Sequence, residues 1–471
     1  MVGELKISAP ASTADSQSAR TLGELFAEAI EQQQAGRMER AIELYRLLVS
    51  QFPSYAPAWN NLGVALRATN RFAAAASALR RGTALDPNDA GALSNLGNAL
   101  RALGDYEEAT AAHEASLAID PDVGRVHYNL ALVRRDLGDL EAALSGFAAA
   151  EAWGFKSSEM FWDRALTLLV SGELEQGFSE YEWRWQLPES PPRFPEIEVW
   201  DGKPYEGKTL LVHTEQGFGD AIQFLRYLPR AAALGGRLVY ECPPPLSRLV
   251  QESGVAADID LVEQGALMPA ADLQIALLSL ARIFGTTLDT IPWDGPYLSP
   301  PSDGPGLKVQ SDGLRVGLVW AGKPTHKNDR NRSIQLETLL PLLELPNMRF
   351  VGLQKGDGAD QPVQLGAEAL VINIGERMRD FADTAAVLKQ LDLVVSVDTS
   401  VVHLAGALGV PAWALIPFSP DWRWLYGRDD TPWYPSVRLF RQTSPRAWPE
   451  VVSMVREALA ALATERAQGG Y

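Results

Sequence analysis

Apolar positions change their period once along this chain. From residue 21 to 186 they recur at helical spacing, as in Ala41, Leu44, Tyr45 and Leu48, which is the pattern of a helix with one buried face. The pattern repeats every 34 residues, the interval from Pro53 to Pro87 and again to Pro121, and Ala41, Ala75, Ala109 and Ala143 keep the same spacing. Small residues at fixed positions let two helices approach closely, so each unit is predicted to be a helical hairpin. The prolines sit in short loops such as "LDPN" and "IDPD", where the residue before proline avoids the helical basin and the pattern breaks. Asn70, Gly104, Gly138 and Gly172 mark the hand-over from one unit to the next. Asn61, Asn95 and Asn129 share one register, followed by Asp163. Four units are clear. A degenerate fifth, "GELEQGFSEYEWRW", carries Phe178, Tyr181, Trp183 and Trp185 in place of small residues and reads as a cap.

The pattern then becomes that of short strands. Pro188, Pro191, Pro192, Pro195 and Pro204 make residues 186–208 an extended connector. Beyond it "KTLLVHT", "GRLVYEC" and "ADLQIAL" are apolar runs separated by helix-length intervals. "RVGLVWA", "RFVGLQK", "LVINIG", "LDLVVSVD" and "PAWALIP" continue the series after the Gly/Pro/Ser-rich segment 299–306. Such alternation predicts βα units in parallel sheets. The fold class expected is an α-solenoid followed by an α/β part of two Rossmann-like halves, with ligands bound outside the carboxyl ends of the strands. The expected boundaries are 21–186 for the repeats, 187–307 for the connector and first half, and 308–471 for the second half, closed by an amphipathic helix from Trp448 to about Ala463. Residues 1–20 and the last few residues read as disordered tails.

Composition narrows the function classes. Fifty-nine Asp and Glu face 42 Lys and Arg, a net charge of −17 in 471 residues, so attraction to a phosphate backbone is not the general purpose of the surface and nucleic acid is not an expected partner. The lone Cys242 excludes an internal disulfide framework and a Cys-rich zinc site, the five histidines show no metal-ligand spacing, and no apolar run is long enough to span a bilayer. A cytoplasmic protein is expected, with no metal and no membrane span.

Three motifs carry candidate chemistry. In "HTEQGFGDAIQF", Gly217 and Gly219 allow a tight strand-to-helix turn, and Asp220 at that corner suits a general base facing the cleft, or equally a helix cap. A dinucleotide loop is the weaker reading, since Ile222 stands where its third glycine belongs, although Glu241 lies at the expected distance. In "VVSVDTSVVHLAGALG", Asp398 ends a strand and Thr399 and Ser400 cap a small-residue helix carrying His403, an arrangement that suits phosphate; a packed, hydrogen-bonded histidine is the alternative for His403. In "VWAGKPTHKNDRNRSI", Trp320 precedes Lys323, His326, Lys327, Arg330 and Arg332, a basic cluster fit for a diphosphate or a sugar carboxylate, or else a solvated loop. Gln354 and Lys355 follow the next strand, where they are expected to reach a nucleotide. Trp422, Trp424 and Trp433 either line the cleft or pack the second half.

The repeat, with segments such as "AWNNLGVALRATNRFAAAASALRRGTALDPN", resembles the tetratricopeptide repeat over residues 21–186. Arrays of that kind bind extended peptides or protein partners, and Asn61, Asn95 and Asn129 are the candidate acceptor-protein contacts; alternatively these amides bond neighbouring helices. "GFGDAIQFLRYLP", "GLVWAGKPTHKNDRNRSI" and "DFADTAAVLKQLDLVVSVDTSVVHLAGALGVPAWALIP" look like the heptosyltransferase-like glycosyltransferases of family 9, over residues 200–445. The whole chain is similar to bacterial repeat-containing protein glycosyltransferases, including those that modify flagellin. The resemblance implies a GT-B fold and an inverting, metal-independent transfer from a nucleotide-sugar, with no further cofactor. It makes Asp220 the base and assigns Asp398, Thr399 and His403 to the donor phosphate, with Trp320, Lys323, Lys327, Arg332, Gln354, Lys355 and Ser400 expected around the donor. Ser400 replaces that family's glycine, so a heptose donor is not implied. The competing expectations are a non-catalytic scaffold and a transferase acting on lipid or polysaccharide.

Overall fold

The computed structural model describes residues 21–307 and 313–468. The two predicted tails and the proposed division at 307/308 thus fall wholly or partly outside the described residues. Compactness divides the chain into two units, one ending at Val133 and one beginning at Arg134.

The first unit consists of α1 (Leu22–Gln34), α2 (Met38–Gln51), α3 (Ala56–Ala68), α4 (Phe72–Leu85), α5 (Ala90–Leu103), α6 (Tyr106–Ile119) and most of α7 (Gly124–Leu137). Ala41, Ala75 and Ala109 are fully buried at the helix crossings, as close approach demands. Asn70 and Gly104, at φ 61° and 81°, end α3 and α5 in the left-handed region, where glycine or asparagine satisfies the last carbonyls without a Cβ penalty. They therefore lie inside each hairpin and not at the hand-over between units; the proline loops make that hand-over. Phe52 and Asp86 before the prolines, at ψ 67° and 89°, have left the helical basin, which stops α2 and α4.

The second unit begins with the remaining hairpins, α8 (Leu140–Ala152), α9 (Ser158–Ser171) and α10 (Leu174–Glu180), and a 3-10 turn over Tyr181–Gln186. The connector follows without helix. Two sheets come next. The first joins β1 (Glu198–Val199), β2 (Thr209–His213), β3 (Arg237–Cys242), β4 (Asp260–Glu263) and β5 (Leu273–Ala276) in the order β1-β5-β2-β3-β4. The second joins β6 (Leu314–Val319), β7 (Met348–Gly352), β8 (Val371–Asn373), β9 (Leu393–Val397), β10 (Ala412–Ile416) and β11 (Val437–Arg441) in the order β11-β10-β9-β6-β7-β8. Every pairing between these strands is parallel. Helices cover the strands: α11 (Phe218–Phe224), α12 (Leu228–Ala232), α13 (Pro244–Glu252) and α14 (Leu280–Ile283) with the first sheet, then α15 (Asp329–Arg332), α16 (Leu336–Leu343), α17 (Gln361–Gln364), α18 (Phe381–Leu388), α19 (Ser400–Leu408) and α20 (Trp448–Gln468) with the second. The fold is thus a helical solenoid followed by an α/β part of two halves.

Strand order locates the crevices. In the first sheet the connections change direction between β2 and β5, and in the second between β6 and β9. Open α/β sheets bind ligands beside such a switch point, outside the carboxyl ends of the strands. The segments leaving those four ends are 214–217, 277–279, 320–332 and 398–400, so all three candidate motifs flank a switch point.

Candidate functional site

Asp220 stands in the first turn of α11. One carboxylate oxygen accepts from the Gly217 N–H at 2.8 Å, and the other accepts from the Arg423 guanidinium. Arg423 is buried, in a 3-10 turn of the second half. It also donates to Asp421 at 2.8 Å and to Gln223 at 2.7 Å, and its guanidinium lies 4.2 Å from the centroid of Trp422. A charge-assisted set of this kind stitches the helix carrying Asp220 to the second sheet's loops. Gly219 allows the closest approach: a Cβ there would lie 2.8 Å from His403 Cδ2. Glycine is needed here for space and not for a left-handed turn.

On the second sheet, Thr399 caps α19 through the Val401 N–H and meets the Ser396 hydroxyl at 3.2 Å. His403 is buried, bonded to the Tyr434 hydroxyl at 3.1 Å and stacked on Trp424. Burial, with Arg423 nearby, pulls its pKa down to about 3, so the ring is neutral. Burial raises the Asp398 carboxyl to about 6, the Asp421 carboxylate adding to the effect and Arg332 opposing it. Arg332 in turn donates to the Asp398 carbonyl at 3.0 Å, which ties the basic loop to the strand end. His326 senses both Asp421 and Asp220, although burial holds its pKa below the usual value. Asp220, Arg332, Asp398, Thr399, Ser400, His403 and the loop around His326 are therefore gathered at one joint.

Other candidates lie apart from it. Lys323 and Lys327 are exposed, Lys327 lying 4.0 Å from Glu189 of the connector. Trp320 is wholly buried, its indole N–H donating to the Gly358 carbonyl, so its ring faces the core and not a ligand. The Gln354 amide is consumed internally, accepting from the Trp320 and Ala321 N–H groups and donating to the Ala321 and Asp357 carbonyls. The Lys355 ammonium donates to the Met378 carbonyl at 2.7 Å. Glu241 is buried and paired with Arg193, which leaves it no role on a ribose. Trp422, Trp424 and Trp433 are buried in the core. In the first unit Asn95 donates to Asn60 at 3.0 Å, Asn129 to Ser94 at 3.4 Å, and Asn61 bonds Tyr45. These amides cross-link neighbouring helices. Among the described residues no group of three or more His, Cys, Asp or Glu is arranged to hold a metal ion, and no helix is long and apolar enough to cross a membrane.

Arg423 and Asp421 are site residues that the sequence patterns did not single out. They stand in "SPDWRWLYG", a stretch conspicuous for its tryptophans, and their partner Asp220 is 203 residues away. Arg184 was equally hidden. From the 3-10 turn it grips Glu215 with two bonds, at 2.8 and 2.7 Å, and reaches Glu182 and Ser279 at 2.7 Å each.

Known proteins resemble both parts of the chain. Residues 26–90 and 89–161 match tetratricopeptide repeat models, and residues 366–452 match the model of glycosyltransferase family 9 (heptosyltransferase). The family 9 match holds Asp398, Thr399, Ser400, His403, Asp421 and Arg423. Protein FlbA of Caulobacter vibrioides is 30% identical over 324 residues, covering 63% of this chain and 54% of that protein. The chain thus spans about half the length of the curated relative it matches. Among solved structures, MamA of Desulfovibrio magneticus RS-1 has a TM-score of 0.32 at 16% identity, over 34% of this chain and 91% of that one. A thermophilic tetratricopeptide repeat protein of Thermus thermophilus, TTC0263, has a TM-score of 0.33 at 18% identity, over 36% and 93%. The chain therefore has a first part that matches tetratricopeptide repeats, followed by a segment that matches glycosyltransferase family 9.

Proposed function

We propose that the protein is a cytoplasmic, inverting, metal-independent O-glycosyltransferase of GT-B type, whose repeats capture a protein acceptor and whose α/β part transfers a sugar from a nucleotide-sugar to a Ser or Thr hydroxyl. The observation that carries this reading is the meeting of Asp220, from one half, with Asp398, Thr399 and Arg332, from the other, around Arg423. The acceptor oxygen attacks the anomeric carbon as its proton passes to Asp220, and the bond from that carbon to the phosphate oxygen breaks with its electron pair on the nucleotide. Asp220 is engaged by Arg423, so it acts as a base once that guanidinium has a stronger claimant. The negative charge growing on the departing phosphate is such a claimant, and stabilising it is the larger part of the catalysis. Arg332, the Thr399 and Ser400 hydroxyls and the start of α19 add donors; the exposed Lys323 and Lys327 are the remaining donor-side candidates by resemblance. The favoured specific version is flagellin as acceptor and a nonulosonic acid donated from CMP.

Calorimetry with CMP, UDP, GDP and ADP tests the donor site: one nucleotide is expected to bind, more weakly in Thr399→Ala. Asp220→Asn is expected to keep that binding and to lose about 100-fold or more in transfer, the scale of general-base catalysis. The rival reading, a non-catalytic scaffold, draws on the engagement of Asp220 by Arg423. It predicts no nucleotide binding and full cellular function in Asp220→Asn.

A further inference from the structure

The last hairpin does more in this fold than close a stack of helices. Its 3-10 turn, Tyr181–Gln186, sends two side chains to the segment that leads into Asp220. The Tyr181 hydroxyl donates to Gln216 Oε1 at 3.1 Å and accepts from Gln216 Nε2 at 2.8 Å. Gln216 is one of the few non-glycine residues in the left-handed region, at φ 61°, a conformation that persists when surrounding contacts enforce it. Next to it, Glu215 is held by the two-bond grip of Arg184. Arg184 also reaches Ser279, beyond β5, so one buried guanidinium spans the two segments that leave the first sheet at its switch point. The Tyr181 ring packs on Trp162 at 4.4 Å and on Trp422 at 6.5 Å, beside Arg423.

We propose that the Tyr181–Gln186 turn is a positioning element of the reaction site: Tyr181 and Arg184 set the Glu215–Gln216 corner from which the chain turns through Gly217 to Asp220. The kinetic part of this inference rests on the transfer reading above; the structural part does not. One consequence is that a truncation at residue 186 removes site geometry along with the repeats, so a lost activity there says nothing about acceptor capture.

The test uses the full chain. Tyr181→Phe keeps the packed ring and deletes one hydroxyl, Arg184→Lys keeps the charge but not the fork, and Arg184→Met removes both. Hydrogen exchange is expected to quicken at residues 215–221 by about fivefold in Tyr181→Phe and by more in Arg184→Met, while residues 393–408 keep their wild-type rates. With the sugar donor of whichever nucleotide binds in the four-member panel, kcat is expected to fall about 5- to 10-fold in Tyr181→Phe with both KM values within about twofold, the mark of lost transition-state geometry. Arg184→Lys is expected between wild type and Arg184→Met. Unchanged exchange at 215–221 in Tyr181→Phe overturns the proposal, and so does raised exchange with kcat intact. If Asp220→Asn transfers normally, the base assignment falls instead, and the exchange experiment still decides whether this turn sets the corner.

Discussion

The hairpins up to Val133 and the joint between the two sheets have interiors of opposite kinds. The hairpins are filled with alanine and leucine, and their buried polar residues are Ser94, His113, Ser116 and Asn129, among the described residues. The joint and its surroundings hold Arg184, Arg226 and Arg423, all nearly inaccessible. Arg226 lies among aromatic rings, 4.8 Å from the centroids of both Tyr297 and Tyr434, and donates to the Trp433 carbonyl at 2.9 Å. Stacking one repeated face on the next needs only shape, and small residues supply it. Burying a guanidinium costs several kcal/mol unless each donor is met, and well-packed apolar residues would hold the two halves together equally well. Ions kept at the joint therefore point to specificity of arrangement and to chemistry.

The sharpest way to break this comparison is Arg423→Met. It leaves Asp220 and Asp421 without their cation, and a loss of about 3–5 kcal/mol in unfolding free energy is expected by chemical denaturation; a loss under about 1 kcal/mol would mean that the joint is as permissive as a surface.

Next comes His113, the one imidazole within the alanine-rich interior. It is fully buried and neither ring nitrogen has a hydrogen-bond partner, while Gly97 makes room for it, a Cβ there lying 2.5 Å from Nε2. Burial, with Arg101 adding, pulls its pKa down to about 4. The neutral form is favoured in the fold, so this contribution to stability is complete above about pH 6.5 and is lost as pH falls toward 4, because the unfolded chain takes up the proton first. The loss amounts to about 2 kcal/mol at pH 5. Comparing wild type with His113→Leu at pH 7 and pH 5 isolates it, and a stability difference that does not move with pH would refute it.

Smaller effects sharpen the contrast. Asn95→Ala removes one amide link between hairpins and is expected to cost about 1 kcal/mol, with acceptor binding as the second readout: unchanged binding assigns the amide to packing. Thr399→Ala loses a long capping bond, 3.4 Å, for about 0.5 kcal/mol in melting experiments, while its effect on nucleotide affinity is expected to be larger than its effect on stability.

Much of the fold was legible because local pattern carried it. Helical spacing, proline loops and left-handed turn residues are each visible within one unit, the period shows when successive units are aligned, and the central strands are unbroken apolar runs because parallel strands are buried on both faces. The strands that escaped notice are marginal ones. β4 is an edge strand whose ends are exposed, β11 interleaves Arg438 and Arg441 with its apolar residues, and β1 is two residues in a proline-rich connector that pair only because β5 lies beside them. In the site, the glycine corner with Asp220 and the capped helix with Thr399 and His403 announced themselves through turn and cap chemistry. Trp320 and Gln354 stood in the right motifs, but their side chains turned inward to satisfy buried backbone groups.

Spacing, caps and turn residues act over a few positions of chain, and the amino-acid order was therefore enough to give the helical hairpins, the central strands and the corners that could bear chemistry. Which charges meet was settled at the level of the assembled fold. Arg423 with Asp220, and Arg184 with Glu215 and Ser279, are pairings across 203, 31 and 95 residues. Nothing local distinguishes those arginines from solvated ones; desolvation at the joint does, because a buried guanidinium must find its partners wherever the fold brings them.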